Sequence, residues 1–241
     1  MTYCVGMLLK DGLVMLSDSR TNAGVDNIAT FRKMTVWEAP DDRVICLMSA
    51  GNLAAAQAVV NHIEEGGEPG GATIMTVPSM FKAAALVGAA VRAVSQADGQ
   101  SVEAKDPGSF NISFLLGGQL KGRELRLFQI YAAGNFIQAS DRTPFFQIGE
   151  HKYGKPILDR ALGFDTDLRA AAKLGLISMD STLRSNLSVG MPLDLLIYRR
   201  DALGVETRRC IDESDPYFRA IRQGWSTSLR EAIRALPNPE W

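Results

Sequence analysis

The chain has 241 residues and carries 26 Lys+Arg against 27 Asp+Glu, a formal net charge of −1. At this length it can bury a core without disulfide staples, and a charge near zero gives no bulk basic footprint for nucleic acid. Its three cysteines, Cys4, Cys46 and Cys210, are odd in number and far apart. They form neither a zinc spacing nor a CxxC pair nor the framework of a small secreted protein.

Met1 to Leu9 has no basic leader, and Lys10-Asp11-Gly12 stops it too early for a secretory signal. Tyr3–Leu9 and Leu13–Ser17 are apolar runs of strand length, with Lys10-Asp11-Gly12 as the turn between them. Met34–Glu38 and Arg43–Met48 read as two further strands around Pro40-Asp41-Asp42. The first 50 residues are therefore expected to form four antiparallel strands. Ser49, Asn52, Gln57, Asn61 and His62 break the uncharged run from Val44 to Ile63, so no span of roughly 20 apolar residues survives. The expected compartment is the cytoplasm.

Asn52 is placed to cap a helix over Leu53–Glu65, which Gly66-Gly67 would end. An Ala-rich helix over Ser79–Gln96 and a loop over Gln96–Ser109 follow. Strand patterns return at Phe110–Leu116, Leu125–Tyr131, Phe136–Ala139 and Phe145–Ile148. Lys152–Ala161 and Asp167–Met179 read as helices, and Leu193–Arg199 with Gly204–Cys210 as a last strand pair. Phe218, Ile221, Trp225, Leu229, Ile233 and Leu236 recur at helical spacing and predict a C-terminal amphipathic helix. Strand blocks and helix blocks are segregated rather than alternating. That order predicts an α+β domain of two antiparallel sheets packed face to face, with helices outside.

Common catalytic motifs are missing: no G-x-S-x-G, no Walker A loop, no G-x-G-x-x-G and no H-E-x-x-H. His62 and His151 read as surface or cap residues, and the cysteines as buried fillers. No cofactor or metal cluster is visible. The remaining chemistry lies at the second residue. Loss of Met1 ahead of the small Thr2 would leave one residue with both a hydroxyl and a free α-amine. Such an amine has a pKa of about 7.7–8.0 and can take the hydroxyl proton near neutral pH. Asp18, at the end of the second strand, comes back near Thr2 through the hairpin. Lys33 opens the third strand and reaches the same place if that strand lies beside the second. A lysine there favours hydroxyl deprotonation, and a carboxylate holds it in position.

Thr2-Tyr3-Cys4-Val5-Gly6, Ser17-Asp18-Ser19-Arg20-Thr21-Asn22-Ala23-Gly24-Val25-Asp26, Thr30-Phe31-Arg32-Lys33-Met34 and Ser49-Ala50-Gly51-Asn52-Leu53-Ala54 together resemble the Anbu proteins. These are bacterial relatives of proteasome β-subunits, also called proteasome-type proteases. The resemblance runs along essentially the whole chain. It implies a four-layer αββα N-terminal nucleophile hydrolase. Thr2 would be nucleophile and base, Lys33 would tune the proton transfer, and Asp18 would orient Lys33. The loop at Met48–Gly51 would present the oxyanion donor, from Met48, Ser49 or Gly51. Thr21, Phe31, Cys46 and Ala50 would line substrate pockets.

The Ser-Gly-rich turn of proteasome subunits is replaced here by Ile148-Gly149-Glu150-His151. Of the supporting aspartate and serine of their later loop, only Ser188 carries over. The resemblance also implies a homo-oligomeric ring or spiral, a peptide or protein substrate and an ATP-dependent unfoldase partner. Two alternatives stay open at this point: an inactive scaffold of the same fold, and a small-molecule amidase.

Overall fold

The computed structural model describes residues 2–22, 28–67, 70–99 and 111–241. Its elements run β1 (Tyr3–Leu9), β2 (Gly12–Asp18), β3 (Arg20–Asn22), β4 (Ile28–Thr30), β5 (Met34–Ala39) and β6 (Arg43–Gly51). Then come α1 (Leu53–Glu65), α2 (Met80–Gly99), β7 (Ile112–Leu120), β8 (Arg126–Ile130), β9 (Phe136–Gln138) and β10 (Phe145–Gly149). The chain closes with α3 (Lys155–Ala161), α4 (Leu168–Ser185), β11 (Leu193–Arg199), β12 (Thr207–Ile211) and α5 (Pro216–Ala235).

Every residue of β1 and β2 is buried, because both faces of their sheet are covered. Tyr3, Val5, Met7 and Leu9 pack against Leu168, Leu176 and Met179 of α4. Cys4 and Leu8 turn the other way, toward Met48 and Leu127 of the opposite sheet. A strand covered on both faces reads as a continuous apolar run, which is how the sequence shows it. Each fully buried Leu or Met of this kind contributes about 1.5–3 kcal/mol. A third cluster joins Leu47, Phe114 and Phe128 to Val59 of α1 and Val87 of α2. Three clusters in succession give four layers, helix–sheet–sheet–helix.

One sheet has the order β10-β1-β2-β11-β12 and the other β5-β6-β7-β8-β9. The first 50 residues thus do not form one four-stranded unit. β1 and β2 belong to one sheet, and β5 and β6 to the other. The chain changes sheets through the short β3–β4 hairpin, which the sequence reading did not resolve. Its tip and the larger part of the expected Gln96–Ser109 loop lie outside the described residues.

Several boundaries move outward. β6 continues to Gly51 and β7 to Leu120, while α4 runs on to Ser185 past the expected end at Met179. The α1 cap is as expected: the Asn52 side chain accepts from Ala55 N–H at 3.2 Å, and Gly66 ends the helix at φ 87°. Asp167 caps α4 and Asp215 caps α5 in the same way. On α5 the cover over the apolar stripe thins along the helix, with Ile221 and Trp225 half-buried. Phe218 is buried, while Leu229, Ile233 and Leu236 are exposed. Of the cysteines, Cys4 and Cys46 are buried and Cys210 is exposed, so filling applies to two of the three. No described helix is long and apolar enough to cross a membrane.

Candidate active site

Thr2 sits just before β1 and is almost fully buried. The peptide group between Thr2 and Tyr3 is held at both ends. Its carbonyl accepts the Glu150 N–H at 2.6 Å, and the following N–H, of Tyr3, donates to Asp18 Oδ1 at 3.0 Å. The first contact follows from the pairing of Tyr3 with Gly149 at the ends of β1 and β10. The second follows from the β1–β2 hairpin, where Cys4 opposes Ser17 and the next residue is Asp18. Gly149 stands at φ 79°, and a Cβ there would lie 1.9 Å from the Thr2 carbonyl oxygen. Glycine lets β10 approach the second residue this closely.

Asp18 is wholly buried and collects three donors. Oδ1 accepts Tyr3 N–H and Lys33 Nζ, the latter at 2.7 Å, and Oδ2 accepts Gly190 N–H at 3.2 Å. Burial pushes the Asp18 carboxyl up from its ordinary value, and the Lys33 ammonium with the two N–H groups pulls it back. Lys33 is 5% exposed and also donates to Arg20 O at 2.6 Å. It reaches Asp18 from the opposite sheet. The expectation that β5 lies beside β2 does not hold, since β5 pairs with β6. The two residues meet across the sandwich.

Beneath Thr2, the Tyr3 hydroxyl meets Ser178 Oγ at 2.6 Å and accepts from Gln147 Nε2. Burial pushes that phenol up to about 12. Glu150, 8% exposed, accepts from Asn186 Nδ2 at 2.9 Å, and Asn186 Oδ1 accepts Ser188 N–H at 2.9 Å. The loop carrying Ser188 therefore reaches the site through Gly190 on Asp18 and Asn186 on Glu150. The recorded contact of Ser188 is made by its backbone.

The three residues expected to offer an oxyanion donor separate. The expected loop at Met48–Gly51 is the end of β6, and Met48 is buried between Met34 of β5 and Leu115 of β7. Ser49 N–H donates to Lys33 O at 3.1 Å, so it is already engaged. Successive N–H groups of a strand alternate sides. Gly51 N–H therefore faces the same side as Ser49, beyond the first residue of β5 and toward the Lys33 end. Gly51 has φ 111°, and a Cβ there would lie 1.8 Å from Asn111 O.

Two cavities flank this end of β6. One, of about 430 Å³, is lined by Thr2, Ala50, Gly51, Gln147, Glu150 and His151 among others. The other, of about 540 Å³, includes Phe31, Arg32, Lys33, Ser49 and Arg208 in its walls. Phe31 and Ala50 thus lie on opposite sides. Cys46 lines neither: it is buried between the sheets, where burial pushes its thiol up to about 12. The strand pleat points Cys46 with Met48 into the core, which excludes it as a pocket wall. Thr21 is half-buried on β3, and its hydroxyl donates to Ala29 O at 3.3 Å. Sequence reasoning missed Gly190 and Arg208, which the fold brings in from far along the chain. It noted Glu150 only as a departure, although a buried carboxylate next to Thr2 is the strongest polar signal in that turn.

No family model matches the chain, and no curated protein does. Solved structures do. A Gly-1 mutant of Anbu from Hyphomicrobium sp. strain MC1 is 51% identical, with 100% of both chains covered and a TM-score of 0.92. Anbu from Yersinia bercovieri, described as an ancestral beta-subunit, is 50% identical over 99% of this chain and 100% of its own, with a TM-score of 0.92. The Anbu complex from Pseudomonas aeruginosa, solved as a helical assembly, is 50% identical over 98% of each chain, again with a TM-score of 0.92. At half identity over full length, with the same four-layer N-terminal nucleophile hydrolase architecture, the chain belongs to the Anbu family of proteasome-related proteins.

Proposed function

We propose that this chain is a threonine-type peptidase or amide hydrolase that acts through Thr2 once Met1 is removed. The observation that carries the reading is the buried Lys33–Asp18 pair, tied by Tyr3 N–H to the residue that bears the nucleophile. A charged pair is costly to bury, and a role in proton transfer at the neighbouring Thr2 gives a reason for burying this one. With Met1 attached, the Thr2 nitrogen is an amide and cannot act as a base. With Met1 gone, the α-amine takes the proton from Thr2 Oγ1 as the oxygen attacks the substrate carbonyl. Lys33, fixed by Asp18 and Arg20 O, keeps the surroundings electropositive and favours the alkoxide. Gly51 N–H takes the developing oxyanion; a donor in that role is worth about 2.7–4 kcal/mol in other hydrolases. The amine then protonates the departing nitrogen, leaving an ester on Thr2. Water, activated by the same amine, releases the acid.

By the same reading the chain assembles with copies of itself, as the Pseudomonas aeruginosa Anbu complex does in its helical assembly. Peptide or protein is the substrate, and an ATP-dependent unfoldase could deliver it. The test is a threonine-directed covalent probe: wild type should be labelled, and Thr2→Ala and Lys33→Ala should not. Equal labelling of the variants would sink the reading.

A second reading, a catalytically weak scaffold, is favoured by the Glu150–Asn186 pair. It stands beside Thr2, and the later loop lacks the aspartate of proteasome subunits. Intact mass separates the two, because a chain that always keeps Met1 can only be the scaffold.

A further inference from the structure

We propose that Arg32 and Arg208 make the cavity beside Lys33 selective for an acidic substrate side chain next to the bond attacked at Thr2. This inference rests on the hydrolase reading and names its substrate class. Lys33 and Ser49 line that cavity, while the next residue, Ala50, lines the Thr2 cavity with Gly51. An extended peptide passing Thr2 therefore has one flanking side chain on the Lys33 side.

The charge there is unbalanced. Among the described residues lining the cavity there is no carboxylate, but there are Arg32, Lys33 and Arg208. Lys33 is spent on Asp18 and Arg20 O. Neither Arg32 nor Arg208 has an ion pair or hydrogen bond among the described residues. The nearby counter-charge is Asp194, half-buried on β11 opposite Ser17, whose Oδ2 has no hydrogen-bond partner there. Arg32 and Arg208 both pull the Asp194 carboxyl down against its burial, so both act on this one group. Neither guanidinium comes within ion-pair distance of Asp194 among the described residues, so both wall charges stay open to a ligand. A substrate carboxylate pairs with them, and guanidinium–carboxylate hydrogen bonds are among the stronger polar contacts. Phe31, Val36 and Leu47 supply apolar wall for the methylenes of a glutamate, and Gln57 and Asn61 offer amide donors.

The experiment is calorimetric binding of acetylated tetrapeptide amides ending in Glu or in Gln to the Thr2→Ala chain, which removes turnover from the measurement. The Glu peptide should bind roughly tenfold tighter or better, as one charge-assisted contact implies. Arg32→Gln/Arg208→Gln should erase that advantage and leave the Gln peptide unchanged. Both arginines are exposed, so the substitutions spare the core. Equal binding of the two peptides, no binding of either at millimolar concentration, or an advantage that survives in the double variant would overturn the proposal. Probe labelling of wild type is scored separately. Acid-selective binding without labelling removes the catalytic reading and keeps the pocket. Labelling without selectivity removes the pocket alone.

Discussion

Lys33 Nζ lies 2.7 Å from Asp18 Oδ1, with both side chains buried, Asp18 at the end of β2 and Lys33 just ahead of β5 in the other sheet. The pair is therefore a clasp across the sandwich as well as a part of the site. Asp18→Asn leaves a buried ammonium without its charge partner and should cost about 3–5 kcal/mol in denaturant unfolding. Asp18→Asn/Lys33→Met should regain most of that stability and remain unlabelled by a threonine probe. A double variant that is both stable and labelled would show that the pair serves the fold and not the chemistry.

Gly51→Ala tests the proposed oxyanion donor. A Cβ would lie 1.8 Å from Asn111 O on a backbone at φ 111°, so the end of β6 must shift. Loss of a single oxyanion donor lowers rate by about 10²–10³. The expected result is that loss in acylation rate, with Met1 still removed. Unchanged acylation would transfer the role to another N–H.

Glu150 shares the Thr2 cavity, where a carboxylate favours the charged form of a nearby ammonium. Glu150→Gln should lower the amine pKa and move the rising limb of the pH–rate profile to lower pH, by about half a unit to one unit. A shift to higher pH, or none, would mean that the carboxylate does not sense the amine.

Tyr3 offers a stability test under the site. Its folded phenol is pushed from 10.0 up to about 12 by burial. The unfolded chain thus ionises first, and the stability held below pH 10 is lost as pH rises toward 12. The slope is about 1.4 kcal/mol per pH unit. Tyr3→Phe lacks this loss, so its stability relative to wild type should rise across that window. Parallel pH curves for the two proteins would contradict the assignment.

How far the sequence carried these conclusions depends on separation along the chain. Asp18 was legible because a tight hairpin fixes its place opposite Tyr3, fifteen residues away. Lys33 meets Asp18, but not through the neighbouring strands that the sequence reading assumes. Its strand lies in the other sheet, and the change of sheet runs through a hairpin of two three-residue strands too short for a periodicity signal. Gly51 was obscured by ending β6 at Met48, since Ser49-Ala50-Gly51 looks like a turn by composition. Gly190 reaches Asp18 over 172 residues, and Asn186 reaches Glu150 over 36. Pairing across such distances is decided by sheet order, which local pattern does not contain. The four layers were legible because strands buried on both faces read as unbroken apolar runs, and helices fell in separate blocks.

The central claim is that Thr2, with its amine freed, forms an ester through a proton relay held by Lys33 and Asp18. The most direct test is the intact mass of the purified chain before and after exposure to a threonine-directed electrophile. Wild type should lack Met1 and gain one adduct, localised to Thr2 by peptide mapping, while Thr2→Ala and Lys33→Ala gain none. A chain that has lost Met1 and stays unlabelled, or an adduct of equal yield on Thr2→Ala, would contradict it.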